Sequence, residues 1–297
     1  LSSVNAPRPA PARDYAEARR RFDGLRARDG AEIGSPGRSR FYSHGRRTPL
    51  AAVFVHGFTN CPQQWDMFAG ELHAAGHSIV VPRLPGHGHA DRDARALVRH
   101  GADELLACVG EAVDIACGAG DRVVLAGLSI GGAMATWLAL ERDDIAHAIA
   151  IVPFFAPSRL DVARSSVLTR TLEAVPNFFV PWDPGGDGSA IPAYGYPRFS
   201  SRMLAECLRI GLAVERESRE RAPHGRTSFL LNAREPAVNN DVALLIRQRF
   251  EGHRSQSTGV VVLDDLPANH DIIDPTNPEA RVRSVYPELR ALVEAAT

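Results

Sequence analysis

The stretch "VVLAGLSIGGAMA", Val123 to Ala135, decides how this chain is read. It opens on apolar, β-branched residues that favour a strand and closes on small residues that favour a helix. Between them lies Gly127-Leu128-Ser129-Ile130-Gly131, with Gly132 next. A Gly-x-Ser-x-Gly at a strand-to-helix junction makes a turn tight enough to strain the serine backbone. The glycines leave room for strand and helix to approach. The hydroxyl then projects from the carboxyl edge of the sheet, beside the positive end of a helix. The bland reading of the same residues is a glycine-rich helix start with serine as N-cap. The strand-like run before Ser129 and the small residues after it favour the elbow, with Ser129 as nucleophile.

Outward from this point, apolar runs of strand length alternate with helical patterns. "LAAVFVHGF", "HSIVVPRL", "RVVLAGLS" and "IAHAIAIVPFF" read as successive strands. "QQWDMFAGELHAAG" reads as a helix, with Trp65, Phe68 and Leu72 on one face and Gly76 as its stop. A long helix is expected over about residues 102–116. The rhythm breaks near Pro157 and resumes with the strand "TSFLLNA", a helix after "VNNDVALLIRQRF", the strand "GVVVLDDL" and a final helix. Alternation of this kind predicts an α/β fold: a mostly parallel sheet covered on both faces. Residues 157–225 read as an inserted cap within a main domain of residues 41–297. Residues 1–40 read as an extension, a Pro/Ala-rich extended segment followed by a short helix from about Asp14 to Arg28. The arginines of "EARRRFDGLRARDG" read as the solvated face of that helix.

A serine needs a base, and the base needs an orienting acid, in the chain order Ser, Asp/Glu, His. His147 opens the next strand and reads as structural; His253 closes a polar helix and reads as a solvated C-terminal residue. His224 lies at the end of the cap region. His270, in "LDDLPANHDIIDP", follows the last strand, where its loop emerges at the edge to which Ser129 points. It is the expected base. The acid is expected after "TSFLLNA", where Glu235 comes first and Asp241 is the alternative, although Asp241 in "NNDV" also suits a helix start. Asp264, Asp265, Asp271 and Asp274 crowd His270 along the chain, but sequence neighbours rarely face its ring. The oxyanion donors expected are the backbone N–H groups of Ile130 and of Phe58 in "HGFTNCP". His56 reads as structural.

Composition bounds the alternatives. The chain has 297 residues, 44% of them hydrophobic, enough for a large core. Its 34 basic and 35 acidic residues leave a net charge of −1, which offers no general electrostatic reason to bind nucleic acid. The four cysteines (Cys61, Cys108, Cys117 and Cys207) form no CxxC pair and are expected as free thiols. Cys61 reads as a packed thiol behind the oxyanion loop. No apolar run approaches the ~20 residues of a membrane span. The chain starts at Leu1 without methionine, so removal of an initial segment is expected, leaving a soluble protein either in the cytoplasm or exported.

These residues resemble the α/β-hydrolase family. "HGFTNCPQQW" is similar to the oxyanion loop of bacterial monoacylglycerol lipases and related carboxylesterases. "VVPRLPGHGHADR" resembles their second shared segment, and "GLSIGG" supplies the elbow. The acid of such enzymes lies in G-x-x-D-x-x-V; "NAREPAV" fits that frame, with Asn232 for glycine and Glu235 for aspartate. The loop shape accounts for His87 in "PGHGHAD" without a metal bound through His87, His89 and Asp91. The resemblance covers residues 50–297 outside the cap. It implies an α/β-hydrolase fold and a carboxylesterase without cofactor, acting on a small-molecule ester through an acyl-enzyme. Amidase, thioesterase and acyltransferase chemistry are rivals on the same residues, and a noncatalytic binding protein is the rival outside enzymes. Serine at the elbow argues against dehalogenase or epoxide hydrolase chemistry, which would place aspartate there. The cap aromatics Phe178, Phe179, Trp182, Tyr194 and Tyr196 are expected to shape an apolar pocket or to pack the cap.

Overall fold

The computed structural model describes residues 3–5, 7–185, 191–253 and 258–296. The expectations for residues 1, 2 and 6 and for part of the Pro/Gly-rich cap segment lie outside the described residues. The strands are β1 (Arg40–Tyr42), β2 (Thr48–Val55), β3 (Ser78–Val81), β4 (Gly120–Leu128), β5 (His147–Ile151), β6 (Phe179–Pro181), β7 (Arg198–Ser200), β8 (Arg226–Asn232) and β9 (Thr258–Leu263). The helices are α1 (Tyr15–Ala27), α2 (Asp66–Ala74), α3 (Ala102–Ala119), α4 (Ile130–Glu141), α5 (Val162–Ala174), α6 (Ser201–Glu217), α7 (Asn240–His253) and α8 (Val282–Glu294).

Seven strands form one sheet in the order β1-β3-β2-β4-β5-β8-β9. All neighbours are parallel except β1, which runs antiparallel to β3. The alternation of side chains along β2 shows why both faces must be covered. Ala51, Val53 and Val55 enter the core that holds residues of α3, α4 and α6, whereas Leu50, Ala52 and Phe54 enter the core that holds residues of α2 and α8. The β2, β4 and β5 strands are therefore apolar almost throughout.

The N-terminal helix is set by Asp14, whose side chain accepts from the Glu17 N–H at 2.8 Å. It buries Ala18, Phe22 and Leu25 and packs on α3. Its arginines pair along the outer surface, Arg21 with Glu17 and Arg19 with Asp23.

Some differences from the sequence reading have local causes. The helix expected from "QQW" starts later, because Pro62–Trp65 forms a tight 3₁₀ turn before α2. Gly76 follows α2 with φ +101°, a left-handed stop. The edge strand β1 and the small β6-β7 hairpin are three residues long, too short to carry a period of two. Within residues 157–225, α6 packs on α4 as well as on α5. Gly211 lets α6 lie close on the segment after β5, since a Cβ there would lie 2.7 Å from the backbone of Phe155.

Candidate active site

The β4-to-α4 junction carries the strain that its glycines foretell. Ser129 has φ 58° and ψ −116°, a backbone region that a residue with a Cβ rarely adopts. Hydrogen bonds hold it there. The Ser129 N–H donates to Ile151 O at 2.9 Å, and its carbonyl accepts from Ala133 N at 3.1 Å and Phe154 N at 3.0 Å. A Cβ at Gly127 would sit 2.2 Å from the Gly131 carbonyl carbon, and one at Gly131 would sit 2.4 Å from Val55 O. Neither position admits another residue without moving the strand or helix. This separates an elbow from an ordinary serine N-cap; the Ser129 side chain makes no capping hydrogen bond.

His270 lies in the loop after β9, and its Nδ1–H donates to Glu235 Oε1 at 2.8 Å. The Glu235 side chain is 1% exposed. The turn after β8 delivers it: Oε1 also accepts the N–H groups of Ala237 at 2.8 Å and Val238 at 3.3 Å. Oε2 is buried without a partner among the described residues, so the histidine is the carboxylate's principal side-chain partner. Burial alone would lower the His270 pKa. The Glu235 charge and hydrogen bond, helped by Asp271, outweigh it and raise the pKa above the ordinary histidine value. Asp241 is not brought to the histidine. It is exposed in the first turn of α7, where its N–H donates to Asn239 Oδ1 at 2.9 Å.

Asn232, which stands where the family frame has glycine, has a use of its own. Its buried Nδ2 donates to Pro267 O at 2.9 Å and Asn269 O at 2.8 Å, while Oδ1 accepts from Arg234 N at 2.9 Å. One side chain thus ties the Glu235 turn to the His270 loop.

The "HGFTN" loop follows β2 and faces the elbow. The ring of His56 is buried, and burial brings its pKa down to about 4. Its Nδ1–H donates to Gly57 O at 2.9 Å and its Nε2 accepts from Leu84 N at 3.2 Å, a structural pairing. Among the described residues, neither the Phe58 nor the Ile130 amide donates a hydrogen bond. His87, read above without a metal, donates through Nδ1 to Pro85 O at 2.9 Å and packs between the rings of His56 and Tyr196. His147 is buried against Ser228 Oγ at 2.8 Å, and His253 closes α7 against Arg219 O. All four cysteines are free. Cys61 is buried just after the "HGFTN" loop, and burial pushes its thiol up to about 12, so it is not a thiolate at neutral pH.

Ser129, His270, Phe58 and Gly57 open on one pocket of about 390 Å³. Trp182, Ile191 and Pro192, from the segment of residues 157–225, wall it on one side, and Asn60, Gln64 and Asp271 also line it. That segment is pinned here. Trp182 Nε1 donates to Thr59 Oγ1 at 2.7 Å, the Tyr196 N–H donates to Thr59 O at 2.9 Å, and the Tyr194 hydroxyl donates to Asp274. Trp182 also packs on Phe58 and Phe199. Asn60, Gln64, Asp271 and Asn232 were not singled out as site residues by the sequence.

The family model that matches this chain is the alpha/beta hydrolase family, over residues 52–286, and the chain belongs to that family. A curated relative, the thermostable monoacylglycerol lipase of Bacillus sp. (strain H-257), is 30% identical over 103 residues, which cover 35% of this chain and 40% of that protein. The aligned part is therefore less than half the relative's length. Among solved structures, one from a study of the metagenome-derived lipolytic enzymes LipS and LipT has a TM-score of 0.69 at 19% identity, covering 89% of this chain and 99% of that one. The monoacylglycerol lipase of Paleococcus ferrophilus has a TM-score of 0.66 at 15% identity, covering 87% and 98%. At such identities the likeness is one of fold.

Proposed function

We propose that this chain is a serine hydrolase that cleaves carboxylic esters through an acyl-enzyme. The observation that carries the reading is the strained Ser129 elbow, opening on the same pocket as His270, whose ring is bound to the buried Glu235.

Ser129 Oγ attacks the ester carbonyl carbon while His270 Nε2 takes its proton. The carbonyl electron pair moves onto oxygen, where the N–H groups of Phe58 and Ile130 meet the developing charge. Ile130 also lies at the start of α4, so the helix dipole favours that oxyanion. The tetrahedral intermediate expels the alcohol, which receives the proton from His270. Water then attacks the acyl carbon and gives its proton to His270, the carboxylic acid leaves, and the proton returns to Ser129. Glu235 holds the imidazole with Nδ1 protonated, so that Nε2 is the free base, and stabilises the imidazolium that forms. No step calls for a cofactor.

The alignment with a monoacylglycerol lipase supports ester cleavage over the rival acyl transfers. The pocket lining supports it too: it includes Asp183, Asp271 and Glu279 and no arginine among the described residues, which suits uncharged esters better than phosphorylated acyl carriers. The test is a panel of p-nitrophenyl esters of increasing acyl length beside the matching anilide and coenzyme A thioester. The reading expects kcat/KM for an ester to exceed both others by at least a hundredfold. Faster anilide or thioester turnover would replace it.

A further inference from the structure

A buried hydrogen-bond network joins the His270 loop to the Phe58 loop, and its members are not the triad itself. Asp271 Oδ2 accepts from Gln64 Nε2 at 2.7 Å and from Asn60 Nδ2 at 3.1 Å. Gln64, 1% exposed, turns its other end to the backbone: Oε1 accepts the Gly57 N–H at 2.8 Å. The Asn60 N–H in turn donates to Gly57 O at 3.2 Å, beside the His56 Nδ1–H at 2.9 Å. Gly57 is thus gripped by its N–H and by its C=O. The second grip fixes the oxyanion donor. A trans peptide is planar, so Gly57 C=O and Phe58 N–H lie in one plane and point in opposite directions. Whatever fixes the Gly57 oxygen also fixes the direction of the Phe58 N–H, and Asp271 reaches that grip one step back, by holding the side chain of Asn60 and the Gln64 that holds the Gly57 N–H.

We propose that Asp271 and Gln64 are positioning residues that aim the Phe58 amide at the oxyanion, coupling this donor to the loop that carries the base. The proposal rests on the serine hydrolase reading above. Asp271 directly follows His270, so a single loop sets the base with one residue and the oxyanion donor with the next. The side chain that follows the base in sequence bonds to Asn60 and Gln64, on the other half of the machinery.

The energetic logic is that of preorganisation. A donor already aimed at the oxyanion costs no reorganisation as charge develops, and the gain appears in the transition state only. Removing an oxyanion donor outright costs about 10²–10³ in kcat. Loosening the support of one is expected to cost less, roughly 10- to 100-fold.

The experiment compares wild type, Gln64→Leu, Asp271→Asn and the double variant, each on the alkaline plateau of its own pH–rate profile, where the base is neutral. Reactive serine is titrated with a fluorophosphonate, and kcat is expressed per titrated serine so that partial unfolding does not count. The affinity of an alkyl trifluoromethyl ketone, whose serine adduct carries an oxyanion, is measured alongside. Gln64→Leu should lower kcat about 10- to 100-fold with KM within about threefold, and weaken the ketone by the same factor. Asp271→Asn keeps one acceptor oxygen in the same shape and should lose at least about fivefold in both readouts. The double variant should lose less than the product of the two single losses, because Asp271 acts in part through Gln64. Should Gln64→Leu not fold, the isosteric Asp271→Asn decides alone. A kcat within about twofold of wild type in the folded variants, or a loss confined to KM with ketone affinity unchanged, overturns the proposal. Wild-type protein without a titratable serine would instead overturn the reading beneath it.

Discussion

Replacing Glu235 by glutamine isolates the charge from the geometry. Glutamine keeps an acceptor oxygen for Ala237, Val238 and His270, so the turn after β8 has no need to reorganise. What is lost is the attraction between carboxylate and imidazolium. For charges about 4 Å apart at an effective dielectric of about 20, that attraction is about 4 kcal/mol. At about 1.4 kcal/mol per decade this corresponds to roughly a 10³-fold loss of kcat. A chymotrypsin-type protease loses about 10⁴ on the equivalent change. Asp241→Asn is the control, since its exposed carboxylate serves the start of α7; it should cost about 1 kcal/mol of stability at most and stay within about tenfold in kcat. The assay is steady-state p-nitrophenyl butyrate hydrolysis, with folding checked by thermal melting. A folded Glu235→Gln protein within tenfold of wild type would refute the reasoning, and a larger loss in Asp241→Asn would move the acid to that position.

Other outcomes follow from the same structure. The base must be neutral, and the pKa of His270 is raised, so kcat/KM should climb with pH along a limb centred above about 6.5. Asp271, whose carboxyl burial and Asp274 push up to about 7, titrates in the same window, so the limb belongs to the pair. Glu235→Gln removes the charge that raises His270 and should move the limb to lower pH while lowering its plateau; a limb that stays put would contradict this. Gly131→Ala should leave little or no active protein, because the added Cβ falls 2.4 Å from Val55 O; normal expression and activity would show that the elbow is looser than drawn. Asn232→Gly cuts both ties from the Glu235 turn to the His270 loop and should cost about 2 kcal/mol in denaturant unfolding, against which a loss under about 0.5 kcal/mol would count.

The fold was legible where local pattern and tertiary need coincide. The runs around β2, β4 and β5 are buried on both faces and so read as continuous apolar strands, and the Gly127/Gly131 pair is forced by contacts across the elbow itself. Glu235 and His270 could be named because parallel strands deliver successive loops to one edge. Residues that act through distant partners could not. Gln64 and Asp271 are 207 positions apart, and neither carries a local signature of the contact. Asn232 looked like a departure from a glycine pattern; its bonds to Pro267 and Asn269 exist only once β8 and β9 are side by side. The strands β1, β6 and β7 are three residues each, too short to show a pattern of their own in the sequence.

Ser129 as nucleophile is tested by where a covalent probe lands. Wild-type protein is treated with a fluorophosphonate and the modified peptide is located by mass spectrometry, with folded Ser129→Ala run in parallel and assayed for ester turnover. The account predicts one label per chain, on Ser129, and a Ser129→Ala protein that takes no label and has lost essentially all turnover. A label on another residue, or a folded Ser129→Ala protein with full activity, would contradict it.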